Sequence, residues 1–425
     1  MVDSMRDDTR QWIEADKSHA WHPFTPQDAW TDPGHDPLVI VRGEGPWLWD
    51  SEGHRYLDGN ASIWTNIHGH AHPEINAAIR RQLERIAHSS YLGFANPRAS
   101  ELAARLCSFF PPSTLERVFF SDNGSTAIEV AMKMALQYRL QTGEDQRRSF
   151  VAFADGYHGD TLGAASLGGV SRFFDRFRGM GPEVHFTRSV AGLDELDPAG
   201  ITAVVIEPLI QGVNEMRPWP AGMLRELREW CDEHSVLLIL DEVMTGFGRT
   251  GRMFACQQEE VIPDFLCLAK GLTGGYIPLA ATLTTGKVYD AFLGAAENAF
   301  YYGHSFTANP LGCAAALASL DLFETERTLS RLPAKAERLE DLLRELKRDC
   351  PEVLDVRRCG LIAGVELRAG LGSPVCRHAR NHGLLTRPIR DTIVLLPPLC
   401  VENRHLELAV SAIRSGIADL EADRA

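Results

Sequence analysis

The 425-residue chain contains no C-x-x-C pair. Its 9 cysteines stand singly between Cys107 and Cys400, so neither a disulfide framework nor a zinc ribbon is expected. No apolar run approaches the roughly 18 residues that span a membrane. The opening stretch MVDSMRDDTRQWIEADK is too polar for a signal peptide. Positive charge is in deficit: 43 Lys and Arg face 57 Asp and Glu, a net charge of -14, which argues against a nucleic-acid or anionic-membrane binder. Internal repeats, low-complexity tracts and Gly/Ser linkers are missing too, so any domains are expected to interlock. These absences leave a cytoplasmic enzyme as the default. With 44% hydrophobic residues the chain can bury a sizeable core, which excludes a disordered or disulfide-stapled protein.

The middle of the chain alternates short apolar runs with helical patterns. Leu115–Ser121, Phe150–Phe153, Ile201–Ile206, Val236–Leu240 and Phe265–Leu268 are too short for helices and rich in β-branched or aromatic residues. Thr126–Leu140 and Met223–His234 have helical spacing between them. Such alternation predicts an α/β fold with a mainly parallel sheet, whose ligands sit at the carboxyl ends of the strands. After Asn309 the pattern changes to long charged helices, 311–326 and 333–349, and then to short strands near 360–367 and 393–397. That tail reads as a smaller α+β unit, and the hairpin-like WLWDSEGHRYLDG near the other end can join it.

Three segments place reactive groups at those strand ends. Phe119–Thr126 (FFSDNGST) runs from a strand through a Gly turn into a helix, where free N–H groups and the helix dipole favour an anion. An ordinary helix cap has the same composition. Val236–Glu242 ends an apolar strand in Asp241, a carboxylate that could pair with a cationic ring nitrogen, ligate a metal or simply meet water. Asp264–Gly275 ends a strand in Lys270, whose amine would be nucleophilic if desolvated and an ordinary surface lysine if not. Jointly the three match what pyridoxal phosphate requires: a phosphate cup, an acid for the pyridine nitrogen and a primary amine. Tyr157 offers a ring that can stack on such a cofactor or serve as a core aromatic.

Two patterns point elsewhere and are set aside. Gly246–Gly251 (GFGRTG) spells a dinucleotide fingerprint, but five residues separate it from the strand and a poor helix follows. His68, His70 and His72 suggest a metal, yet no H-E-x-x-H occurs and a histidine before Pro73 is compatible with helix capping. No metal is expected.

With these residues in place, the sequence resembles the class III (fold type I) pyridoxal-phosphate aminotransferases over nearly its whole length. The likeness rests on WHPFT (21–25), IWTNIHGHAHP (63–73), FFSDNGSTAIEVAMKMALQY (119–138), GYHGDTLGA (156–164), IEPLIQG (206–212), DEVMTGFGRTG (241–251), LAKGLTGGY (268–276), GHSFTANPLGC (303–313) and TRPIRDTIVLLPP (386–398). It implies a large cofactor domain, 65–305, around a mainly parallel seven-stranded sheet, and a smaller α+β domain made from 1–64 and 306–425. It implies that Lys270 carries the cofactor and shuttles the proton, that Asp241 pairs with the pyridine nitrogen and that Tyr157 stacks on the ring. Gly124 and Ser125 would hold the phosphate, joined by Ser305 of a second subunit in a homodimer. Phe24, Trp64, Arg249, Gly303 and Arg387 would line the substrate site, with Arg387 taking a carboxylate.

Within the family the WHP start, the IHGH segment and the TRP…LPP ending resemble the biotin-pathway branch that aminates 8-amino-7-oxononanoate. Another ω-aminotransferase, acting on ornithine, 4-aminobutyrate or a diamine, is the alternative. The S-adenosylmethionine-using members of that branch typically carry a Trp-Trp pair, a Tyr after W-H-P and a Phe-Gly-Gly segment. This chain has Ile63-Trp64, Phe24 and Leu92-Gly93-Phe94. The lost indole and hydroxyl turn the reading toward L-lysine as amino donor.

Overall fold

A computed structural model describes residues 2–423. Its centre is a seven-stranded sheet in the order Leu115–Ser121, Ala280–Thr285, Phe265–Leu268, Leu237–Asp241, Ile201–Ile206, Ser149–Phe153 and Val184–Thr187. Only Ala280–Thr285 runs antiparallel to its neighbours. The inner strands are buried from end to end, as expected of a sheet covered on both faces. One face packs on the helix Gly124–Gln141 through Ala127, Ile128, Ala131 and Ala135, whose small side chains let the helix lie close to the strands. The other packs on Met223–Glu233, which buries Leu224, Leu227 and Trp230.

All five strands expected in this region exist, with Val236–Leu240 displaced by one residue to Leu237–Asp241. Trp47–Asp50 and Arg55–Asp58 form the expected hairpin pair. That pair belongs to a four-stranded sheet in which Leu384–Leu385 lies parallel to Arg55–Asp58, so segments far apart in sequence share one sheet. A second four-stranded sheet, Val353–Cys359, Ile362–Leu367, Thr392–Leu395 and Pro388–Ile389, lies against the long helices of the tail. One expectation is corrected: the helix read as starting at Pro333 spans Thr328–Asp349. Pro333 lies inside it, where it forfeits one backbone bond without ending the helix. Among the described residues, no helix is long and apolar enough to cross a membrane.

Candidate active site

A cavity of about 650 Å³ opens at the carboxyl ends of the central strands. On one side the strand Leu115–Ser121 turns into the helix Gly124–Gln141. Asn123 caps this helix: its Oδ1 accepts from Thr126 N (3.1 Å), and Thr126 Oγ1 accepts from Asn123 N (3.0 Å). This capping box occupies the Thr126 N–H and leaves those of Gly124 and Ser125 without an acceptor among the described residues. Two N–H donors and the positive end of an 18-residue helix thus face the cavity. Ser125 Oγ also accepts from Asp160 N (3.1 Å). That contact requires Gly159, because φ is +127° there and a Cβ would run into the Ser125 side chain.

Asp241 ends its strand on the cavity floor. Its Oδ2 pairs with His158 Nδ1 at 2.8 Å and its Oδ1 accepts from Val243 N at 3.0 Å. Burial alone would lower the pKa of His158, but the hydrogen bond to Asp241 and the charges of Asp241 and Glu207 hold it above the ordinary value. Glu207 is buried beside this pair and accepts from Tyr157 N (3.2 Å) and Gly212 N (3.0 Å). Desolvation pushes its carboxyl up to about 7.

Lys270 stands where the next strand ends, at φ +39°. That left-handed conformation costs a non-glycine residue about 1 kcal/mol or more. It turns the amine into the cavity, 4.6 Å from the Trp64 ring centroid. Burial pulls the Lys270 pKa down to about 8, although Asp241 and Glu207 pull it up; Arg249 and Arg387 add to the depression.

Of the residues expected from the sequence, the fold brings Gly124, Ser125, Tyr157, Asp241, Lys270 and Trp64 to this cavity. Tyr157 donates to Asp160 Oδ2 (2.6 Å), and burial raises its pKa. Phe24 is exposed and meets Phe173 edge-on at 5.4 Å; Phe173 in turn borders Tyr157. Arg387 is exposed and not among the residues lining the cavity, and no acidic partner for its guanidinium occurs among the described residues.

Arg249 is not among the residues lining this cavity. It was expected at the substrate, yet its side chain is only 1% exposed and donates to the carbonyls of Pro397 and Asn66, the latter at 2.7 Å. Desolvation lowers its pKa to about 9, and it acts as a charge behind the wall. Gly303 and Ser305 also stay outside this chain's cavity, on an exposed loop tied to Asp122 by His304 at 3.1 Å. The three histidines have separate partners. His68 contacts Ser319, His70 pairs with Asp58, and His72 accepts from Glu74 N as a cap while pairing with Glu326. GFGRTG is followed only by the four-residue 3-10 turn Ala255–Gln258. Sequence reasoning gave no role to His158 or Glu207, although both lie in segments carrying the resemblance; a buried acid after a strand was the available signal.

The profile of the family "Aminotransferase class-III" matches residues 30–417. The chain belongs to the class III aminotransferases. It is 45% identical to the adenosylmethionine-8-amino-7-oxononanoate aminotransferase of Geobacter sulfurreducens, over 96% of this chain and 98% of that one. The crystal structure of the protein so named from Methanocaldococcus jannaschii superposes with a TM-score of 0.93 at 36% identity, covering 97% and 99% of the two chains. A PLP-bound amine transaminase of an uncultivated Pseudomonas species gives a TM-score of 0.88 at 34% identity, covering 94% and 98%. This aminotransferase is therefore a pyridoxal-phosphate enzyme, and its residues fit that group. The free N–H donors of Gly124 and Ser125 suit a phosphate, the buried Asp241 suits a protonated ring nitrogen, and Lys270 is an amine of lowered pKa.

Proposed function

We propose that this aminotransferase aminates the ketone of 8-amino-7-oxononanoate to give 7,8-diaminononanoate, a step of biotin biosynthesis. The supporting observation is Arg387, an exposed guanidinium with no acidic partner among the described residues, whose charge helps to lower the Lys270 pKa. A substrate with a carboxylate at one end and a reacting carbonyl at the other satisfies both groups at once. The names of relatives 45% and 47% identical support the same substrate.

Bound pyridoxal phosphate supplies the electron sink that makes the amino-bearing carbon acidic. The protein supplies the rest. Gly124 and Ser125 would anchor the phosphate, Asp241 would keep the ring nitrogen protonated, and His158 would fix the Asp241 carboxylate. Tyr157 would cover the ring. Lys270 Nζ would take the proton from the donor's carbon and return it at the acceptor's, as base and acid in turn; a pKa near 8 suits both duties. A second subunit would complete the phosphate site through Ser305. The chain divides, on this reading, into a cofactor domain of 65–305 and a smaller domain from 1–64 and 306–425.

For the amino donor, Phe24 and Ile63 support L-lysine, because they lack the hydroxyl and second indole that an adenosyl group can use. S-Adenosylmethionine is the second reading, favoured by the names of the relatives. Purified enzyme with 8-amino-7-oxononanoate and each donor in turn decides it. Diamine formed with lysine is the expected result, and diamine formed only with S-adenosylmethionine overturns the donor assignment.

A further inference from the structure

The segment entering the cavity from Arg55–Asp58 is strained. Ala61, Ser62 and Trp64 have φ of +45°, +62° and +67°, which side-chain-bearing residues rarely adopt together. Strain of this kind persists only where neighbours over-determine the conformation. Here Asp58 Oδ1 accepts from Ser62 N (3.0 Å), and Asp58 Oδ2 accepts from Ser62 Oγ (3.1 Å) and pairs with His70 (2.9 Å). Asn60 adds two bonds at the far end: its carbonyl accepts from Trp64 N (2.9 Å), and its Oδ1 accepts from Trp64 Nε1 (2.8 Å).

The indole this turn presents is 94% buried, since only 6% of Trp64 is exposed. One edge lies so close to Gly212 that a Cβ there would stand 3.1 Å from Trp64 Cζ3. Its face meets the Lys270 amine at 4.6 Å. An indole has one polar group, and in a buried wall that N–H needs an acceptor. Asn60 Oδ1 supplies it and so selects the ring's orientation.

We propose that Asn60 is a positioning residue, which through the Trp64 indole sets how the reacting amine of Lys270 is held and closes one side of the cavity. The inference rests on the reading of Lys270 as the cofactor-binding amine. A ring face over an ammonium stabilises the charged form. Asp241, Glu207, Arg249 and Arg387 are the other charged groups acting on that amine, and changes at Asn60 leave them in place.

The test is the pH midpoint for covalent uptake of pyridoxal phosphate by the cofactor-stripped full-length protein. Asn60→Leu removes the acceptor at similar volume, so the ring loses its fixed face. The midpoint is expected to fall by about half a pH unit or more, as loss of a cation–π contact implies. Trp64→Leu should give the same fall, and the double variant no further one. Asn60→Asp keeps an acceptor, and its added negative charge favours the ammonium, so its midpoint should be no lower than wild type. An unchanged midpoint in Asn60→Leu, or additive falls in the double variant, overturns the proposal. If Asn60→Leu does not fold, an unchanged midpoint in Trp64→Leu overturns it instead. Uptake by Lys270→Ala with the wild-type midpoint would show that the reading of Lys270 has failed, a separate outcome.

Discussion

At the scale of single residues, the chemistry depends on desolvation. Lys270 has an ordinary amine whose pKa is brought to about 8 by burial. The sign of the consequence is fixed: the amine is charged below that value and neutral above it. Covalent uptake of pyridoxal phosphate by stripped protein should therefore rise through pH 8, and Lys270→Ala should bind it without a covalent link; absorbance titration checks both. Gly159 makes a second test, because its φ of +127° and its contact with Ser125 leave no room for a methyl group. Gly159→Ala should weaken cofactor affinity at least about tenfold, equivalent to roughly 1.4 kcal/mol, measured by equilibrium dialysis. Lys270, Asp241 and the Gly124–Ser125 turn were legible in the sequence because each follows a readable strand. The bonds of Arg249 to the carbonyls of Pro397 and Asn66 were not legible, because a motif cannot say which backbone groups a guanidinium will meet. His158 and Glu207 were missed because their roles come from contacts 83 and 50 residues away in sequence.

At the scale of elements, the proposed phosphate cup is a helix start, and its capping is separable from any ligand. Asn123→Ala removes an acceptor that satisfies Thr126 N, and should cost about 1 kcal/mol of stability, read as a lower Tm in the cofactor-free protein. Two strands of the central sheet escaped the residue pattern for different reasons. Ala280–Thr285 (AATLTT) is mostly Ala and Thr, a composition without an apolar run, yet it is buried between two neighbours that supply the bulk. Val184–Thr187 (VHFT) is a short edge strand, half exposed, with little hydrophobic signal. Four of the five strands that were read are buried from end to end, where side-chain composition reports position most directly, and the fifth, the edge strand Leu115–Ser121, was legible through its Val-Phe-Phe run.

At the scale of the whole molecule, the sheets tie the 425-residue chain together, as the lack of linkers led one to expect. Leu384–Leu385 pairs with Arg55–Asp58, and Arg249 bonds to the carbonyls of Asn66 and Pro397, so segments hundreds of residues apart fix one wall of the site. The net charge of -14 likewise says little about that wall, where Arg249, Lys270 and Arg387 gather around the acids. If Ser305 completes a neighbour's site, Ser305→Ala and Lys270→Ala variants should regain activity when mixed and refolded together, since mixed dimers then hold one intact site; no recovery would argue for self-contained subunits. The most direct measurement of the central claim is product formation from 8-amino-7-oxononanoate by the holoenzyme, with L-lysine and S-adenosylmethionine supplied separately. The account predicts 7,8-diaminononanoate, with Arg387→Gln raising KM for the oxononanoate by about tenfold or more. No diamine with either donor, alongside brisk turnover of ornithine or 4-aminobutyrate, would contradict it.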